Sequence, residues 1–498
     1  MGTDIIDKSV YGRAIVHLRD RKVRLPKFSE LAAPNTIPSA IERQLAGIGP
    51  DEPNALNLFR VHWFNGTNRV GKVVVPEHII LPFEITGVRS PIIVALGTPF
   101  PMIGAHKVLA AYACLVPRLV RGEFDPIVQR AVWPSTGNYC RGGIAISRIL
   151  GCRGVAVLPE GMSVERFRWL ESWISNPGDI IRTPGTESNV REIYEECELL
   201  SQDPNNVIFN QFREFGNYLV HRQCTGAALS TIVDAYQCAC PEARPAAFVA
   251  TSGSSGTLGA GDALKENYGT KIVAVEALEC PTLLYAGFGS HNIQGIGDKH
   301  IPFIHNVMNT DLVTGVSDES TDLLNVLFND KVGLDYLESR RNVSPTILQR
   351  FGELGLSSLA NIIGAIKISK HLGLGDQDLV VTVATDGASL YESEREKTIK
   401  ETLSGALDTI SAAEIFGEHL SGIRSDHVME LNSRDRERIF NLGYYTWVEQ
   451  RGESVDRFQE RRKMSFWNSL MEHLTVWDDM IEEFNGRTGM NGRVLKRD

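Results

Sequence analysis

Between Ile92 and Tyr391 short β-branched runs alternate with longer amphipathic stretches, and this alternation constrains the fold more than any other feature of the chain. Strand-sized runs fall at 92–95, 131–133, 154–158, 207–209, 247–250, 272–276 and 379–384. Between them, 107–120, 142–150, 164–172, 187–200, 218–236, 258–267 and 359–371 read as helices. Nearly continuous apolar strands that alternate with helices specify α/β architecture, with parallel sheets covered on both faces.

The flanks read differently. Pro26, Pro34, Pro38, Pro50 and Pro53 interrupt the first ninety residues, whose clearest strand pair is 73–75 with 79–81. After Tyr391 the chain is charged and strand-poor. There Phe466, Leu470, Leu474, Trp477, Ile481 and Phe484 recur at steps of four and three, one face of a helix. Such a face docks on its own core, or else serves an oligomer contact or a cover over the site. The chain shows no internal repeat and no low-complexity segment.

The net charge of −10 on 498 residues excludes a general nucleic-acid binder, which needs a basic surface. With 43% hydrophobic and 22% charged residues the chain is globular rather than disordered. No apolar run is long enough to span a bilayer, and the first residues lack the apolar core of a secretory signal. Eight cysteines are too sparse for a disulfide scaffold. The expectation is a cytoplasmic protein with neither nucleic acid nor membrane as partner.

Three segments carry chemistry. In 247–259 a strand runs into Gly253-Ser254-Ser255-Gly256-Thr257 and then a helix. Free N–H groups at a helix start, small residues and hydroxyls suit a phosphate. The spacing is neither a Walker loop nor a strict G-x-G-x-x-G, although Glu276 at the end of the next strand keeps a dinucleotide as a rival. In Gly104-Ala105-His106-Lys107 a lysine opens an apolar helix. There the helix dipole disfavours its cation and favours a nucleophilic amine. In Ser135-Thr136-Gly137-Asn138-Tyr139 a strand-end loop offers donors for a carboxylate. Each segment alone is also explained as an unliganded turn or a surface lysine. Together they suggest one cofactor, pyridoxal 5′-phosphate (PLP), held by a lysine and a phosphate cradle.

From about residue 91 to 391 the chain resembles the fold-type II PLP enzymes, the tryptophan synthase β superfamily, and within it the cysteine synthase and cystathionine β-synthase branch. Gly104–Lys107 resembles the tryptophan synthase β form of the Schiff-base segment, which makes Lys107 the catalytic lysine, with His106 beside the cofactor phosphate. Ser135–Asn138 resembles the Thr-Ser-Gly-Asn loop. That resemblance puts Ser135, Thr136 and Gly137 on the substrate carboxylate and Asn138 on the cofactor. Asn210-Gln211-Phe212, followed by Asn217 and His221, is similar to the segment whose Gln faces the carboxylate, here Gln211. Gly253–Thr257 corresponds to the phosphate cradle. Gln294-Gly295-Ile296-Gly297 with Ile301-Pro302, and Gly355-Leu356-Ser357-Ser358, match further stretches of the branch. Thr385 stands where the family has the Ser or Thr that bonds the pyridine nitrogen, with Asp386 next to it as a competing carboxylate.

The resemblance implies two three-layer α/β lobes with mostly parallel sheets, the cofactor in the cleft between them, and a helical C-terminal extension. Residues 1–90 are then an N-terminal extension wrapping the core, 91–216 the small lobe, 217–394 the large lobe and 395–498 the C-terminal extension. It implies β-elimination or β-replacement on a small amino acid (cysteine, serine or an O-activated serine) through an aminoacrylate, with Lys107 as general base, in a homodimer. A threonine synthase- or dehydratase-like enzyme and a catalytically silent regulatory homologue are the alternatives.

The chain also departs from the branch. Tyr139 and Cys140 replace a small residue and Gly. Tyr139 is thereby a substrate-facing candidate, as a narrowing, a stacking surface or an acid, or else a phenol packed in the cleft. Cys238, Cys240, Cys224 and His221 read as free thiols and a family histidine rather than a metal site.

Overall fold

The computed structural model describes residues 4–490. Eleven strands form two sheets: β1 His78–Leu81, β2 Ile92–Leu96, β3 Arg130–Pro134, β4 Arg153–Pro159, β5 Ile180–Thr183, β6 Asn206–Ile208, β7 Arg244–Thr251, β8 Lys271–Ala277, β9 Leu312–Val316, β10 Asp378–Ala384 and β11 Val428–Glu430. The larger sheet has the order β1-β2-β10-β7-β8-β9-β11 and the smaller β5-β4-β3-β6. Every pairing is parallel except β1–β2 and β9–β11, the two edges of the larger sheet. In β2 and β10 every residue is buried, as strands covered on both faces require.

All seven expected strands and the helix Lys107–Val120 are present. Other features differ from the sequence expectation. Residues 73–75 form no strand, and Ile79–Leu81 pairs instead with Ile92–Val94 in β2. Val73 donates its N–H to Phe64 in a turn, whereas β2 offers a fully buried edge to cover. The strand β2, expected at the start of the first lobe, lies in the larger sheet between β1 and β10. The helix expected over 218–236 begins at Phe215 and carries a π-turn, His221–Thr225, before Gly226–Ala239. Such one-turn bulges cluster at functional sites.

The two extensions are tied to each other. Leu25 and Asn485 exchange two hydrogen bonds, of 3.0 and 2.8 Å, and Asp478 accepts the N–H groups of Phe28 and Ser29. The C-terminal apolar face is divided between Met464–Leu470 and Glu472–Arg487 and docks on the protein's own core. Trp467 lies edge-on to Tyr218, Trp477 packs on Phe28 and Phe484 on Tyr11. Trp63 of the N-terminal segment reaches behind the lysine, 5.3 Å from the His106 ring, and donates to Thr225 in the π-turn.

No helix among the described residues is long and apolar enough to cross a membrane.

Candidate functional site

Parallel strands bring their carboxyl ends together, and the loops that leave those ends build the site. Ser135 follows β3, Ser252 follows β7 and Thr385 follows β10. One cavity is lined by Lys107, Ser135, Thr136, Asn138, Tyr139, Gln211, Gly253, Ser254, Ser255, Thr257 and Thr385. Eleven of the residues picked from sequence thus meet in one place. Gly137 and Gly256 sit in the loops between lining residues, and His106 lies behind the wall. Ser357, Gln294, Gly295 and Ile296 complete the lining together with Thr251.

Lys107 opens its helix with Nζ 3.1 Å from the Ser254 hydroxyl, which accepts its hydrogen bond. Burial pulls this amine down to about 8, against the opposing pull of Asp298. Near neutral pH a fraction of the amine is therefore uncharged, the form that attacks a carbonyl or takes a proton. Asp298 is pushed up to about 7 by burial, with Lys107 as the charge that lowers it. Sequence reading passed Asp298 over because it lies in a stretch matched as Gly-Ile-Gly…Ile-Pro.

The cradle is shaped by close packing. A Cβ on Gly253 would collide with the Gly295 carbonyl oxygen, and one on Gly256 with the Asn217 side chain. Ser255 takes a left-handed φ of 63°, unusual for a residue with a Cβ. Four hydroxyls, of Ser252, Ser254, Ser255 and Thr257, gather before the helix Leu258–Tyr268. His106 is buried and kept neutral, with Nε2 3.3 Å from Thr257 Oγ1. Asn217 donates to both Gln211 O and Ser254 Oγ at 3.0 Å, which ties the carboxylate segment to the cradle.

The loop carrying Asn138 is held by Asp386, already singled out in the sequence, and by Arg141, Arg166 and Tyr391, which were not. Asn138 Oδ1 accepts from Arg141, and its Nδ2 donates to Asp386. Tyr391 donates to the same Asp386 oxygen at 2.8 Å. Arg166, fully buried, donates to Tyr391 and to Gln294. Asp386 is thereby engaged through Oδ2, its Oδ1 is buried without a partner, and its neighbour Thr385 lines the cavity.

Tyr139 is 1% exposed, lies edge-on to Trp133 and leaves its hydroxyl without a partner. Burial, with Cys114 beside it, pushes the phenol well above its ordinary value, so it is a neutral donor. Cys140 is buried against Gly137 O, and burial pushes its thiol up to about 12. It is not a reactive thiolate. Cys238 and Cys240 are exposed free thiols, His221 bonds Thr225, and the described residues hold no cluster able to bind a metal ion.

The donor set fits PLP. A hydroxyl-rich helix start accommodates its phosphate, a buried amine its aldehyde, and hydroxyls of Ser357 and Thr385 the far side of a ring. The family described as pyridoxal-phosphate dependent enzyme matches residues 99–386. Cysteine synthase B of Campylobacter jejuni is 30% identical over 256 residues, 50% of this chain and 75% of its own. Among solved structures, a hydrogen sulfide-producing enzyme from Fusobacterium nucleatum superposes with a TM-score of 0.52 at 21% identity, covering 63% of this chain and 96% of that one. An O-acetylserine dependent cystathionine β-synthase from Helicobacter pylori gives 0.51 at 22% identity, over 64% and 94%.

Proposed function

The chain belongs to the pyridoxal-phosphate dependent enzyme family, and on that premise we propose that it catalyses β-elimination or β-replacement on a small amino acid such as cysteine, serine or an O-activated serine. The observation that carries this reading is the division of labour between Thr385 and Asp386. Thr385 lines the cavity, while Oδ2 of Asp386 is taken up by Asn138 and Tyr391. A neutral group at the pyridine nitrogen suits departure of a Cβ substituent better than chemistry that needs a protonated ring.

Bound here, PLP supplies the electron sink that makes Cα–H acidic and lets the β-substituent leave. The chain's own residues do the rest. Ser135, Thr136 and Gln211 hold the substrate carboxylate and so orient Cα toward Lys107. The Lys107 amine, depressed by burial, takes the Cα proton and can return it. Tyr139 faces the substrate as a neutral donor able to protonate a leaving group. Lobe closure would exclude water from the site. A homodimer and a reducing compartment belong to the same proposal, the latter supported by eight free cysteines.

The test is a visible absorbance scan of the holoenzyme before and after cysteine, serine and O-acetylserine. A shift with one of these, absent in Lys107→Ala, is the expected result. A bound-cofactor band that none of them shifts would overturn the reading in favour of a silent or differently specific homologue.

A further inference from the structure

Behind Lys107 a chain of contacts runs from the N-terminal segment to the phosphate cradle. Trp63, Thr225, His221 and His106 are each at most 1% exposed. Trp63 Nε1 donates to Thr225 Oγ1 at 2.8 Å, and the same oxygen lies 2.8 Å from His221 Nδ1. Thr225 and His221 are the two ends of the π-turn. The His221 ring stands edge-on to that of His106, with centroids 5.1 Å apart. His106 Nε2 lies 3.3 Å from Oγ1 of Thr257, which lines the candidate site. His221 Nε2 and His106 Nδ1 are buried without a partner.

Proton counting orders this chain. An indole N–H can only donate, so Thr225 Oγ1 is its acceptor. That hydroxyl has one proton of its own, and among the described residues its other hydrogen-bond partner is His221 Nδ1. Nδ1 therefore accepts. Burial keeps the ring neutral, so its proton sits on Nε2. His106 is neutral for the same reason. Its tautomer has a consequence in the cavity. With the proton on Nε2, His106 donates to Thr257 Oγ1 and leaves the threonine proton for an acceptor in the cavity. With the proton on Nδ1, Nε2 takes the threonine proton and the cradle loses that donor.

We propose that Trp63, acting through Thr225 and His221, selects the His106 tautomer protonated at Nε2 and so keeps the Thr257 hydroxyl free to donate to the cofactor phosphate. An N–H on His221 Nε2 beside the His106 ring favours a bare nitrogen there over a second N–H. Trp63 does not line the cavity, so it is a positioning residue. The N-terminal segment is then a working part of the cofactor site. The proposal rests on the cofactor and not on the β-chemistry.

The test is nitrogen NMR of the histidine rings in the full chain, with and without PLP, beside phosphorus NMR of the bound cofactor and cofactor titration. Ring signals are assigned by their loss in His221→Gln and His106→Gln. Both rings should carry their proton on Nε2 in the wild type. Trp63→Phe and Thr225→Val should mix the tautomers, move the phosphorus resonance and weaken PLP binding at least about threefold, the scale of one hydrogen bond. Thr225→Ser keeps the hydroxyl and should behave as the wild type. A proton on Nδ1 of either ring in the wild type overturns the proposal. So does PLP binding that weakens with the tautomers unchanged, which is packing alone, or tautomers that mix with PLP binding unchanged. Failure of the wild type to bind PLP would instead overturn the cofactor itself, and the two failures are told apart because the ring tautomers are also read without it.

Discussion

The side-chain amide of Asn138 donates to Oδ2 of Asp386 at 2.6 Å and joins the loop after β3 to the loop after β10. These residues are 248 positions apart and follow strands of different sheets. Around them Arg141, Arg166 and Tyr391 complete a buried network, with Arg166 Nη2 3.7 Å from the same carboxylate oxygen. Asp386 thus lies beside the buried guanidinium of Arg166 and accepts from both Asn138 and Tyr391.

Asp386→Ala leaves Arg166 without its counter-charge and Asn138 and Tyr391 without an acceptor. Breaking one partner of a buried pair costs about 3–5 kcal/mol, and denaturant unfolding should show a loss of that order. Asp386→Asn keeps an acceptor oxygen and should lose less. It should also keep the visible cofactor band, whereas Thr385→Ala should change the band with little loss of stability. A band that follows residue 386 and ignores residue 385 would reverse their roles.

Lys107→Ala should abolish covalent attachment. Borohydride reduction of the wild-type holoenzyme followed by peptide mass analysis should place the added cofactor mass on the peptide containing Lys107, and Lys107→Ala should show none. Mass on another lysine would sink the assignment.

Gly253→Ala forces a Cβ into the Gly295 carbonyl oxygen, a backbone atom with little room to move. Gly256→Ala meets the Asn217 side chain, which is tied to Ser254. Both variants should bind PLP more weakly, with Gly253→Ala the more damaged, as read by cofactor titration alongside thermal unfolding.

Tyr139→Phe removes a buried hydroxyl with no partner while keeping the ring against Trp133. An unsatisfied buried hydroxyl costs about 1–3 kcal/mol, so stability should hold or rise. If the phenol protonates a leaving group, kcat should fall most for the poorest leaving group. Equal kcat across leaving groups would reduce Tyr139 to packing.

The buried carboxyls make a pH prediction with a definite sign. Glu187 is raised from 4.5 to about 8. Between those values the folded state keeps a proton that the unfolded chain has shed, so this contribution is present at low pH and is lost as pH rises through the folded value. Glu187→Gln removes the titration. The variant should lose less stability than the wild type between about pH 5 and 8, the window between the two values, as followed by denaturation midpoints. A steeper loss in the variant would contradict the placement of Glu187.

The sequence by itself determined the parts that are local. β-Branched runs specify buried strands, the apolar stretch after Lys107 specifies its helix, and small residues and hydroxyls at strand ends specify the loops, because backbone propensity and periodicity act over a few residues. Within each sheet the loops share one side, since parallel strands present their carboxyl ends together, and the placement of the two sheets brings the two sets of loops to one cavity. Tertiary structure alone decided what long-range pairing controls. The partner of Ile79–Leu81 is set by the edge of a buried sheet, and the hydrogen bonds to Asp386 Oδ2 by the approach of Asn138 and Tyr391. Glu187, Asp322 and Glu394 are brought to the lining of one cavity from segments more than two hundred residues apart. Charge and hydrogen-bond complementarity depend on distance in space, and a chain read along its length carries no measure of that distance.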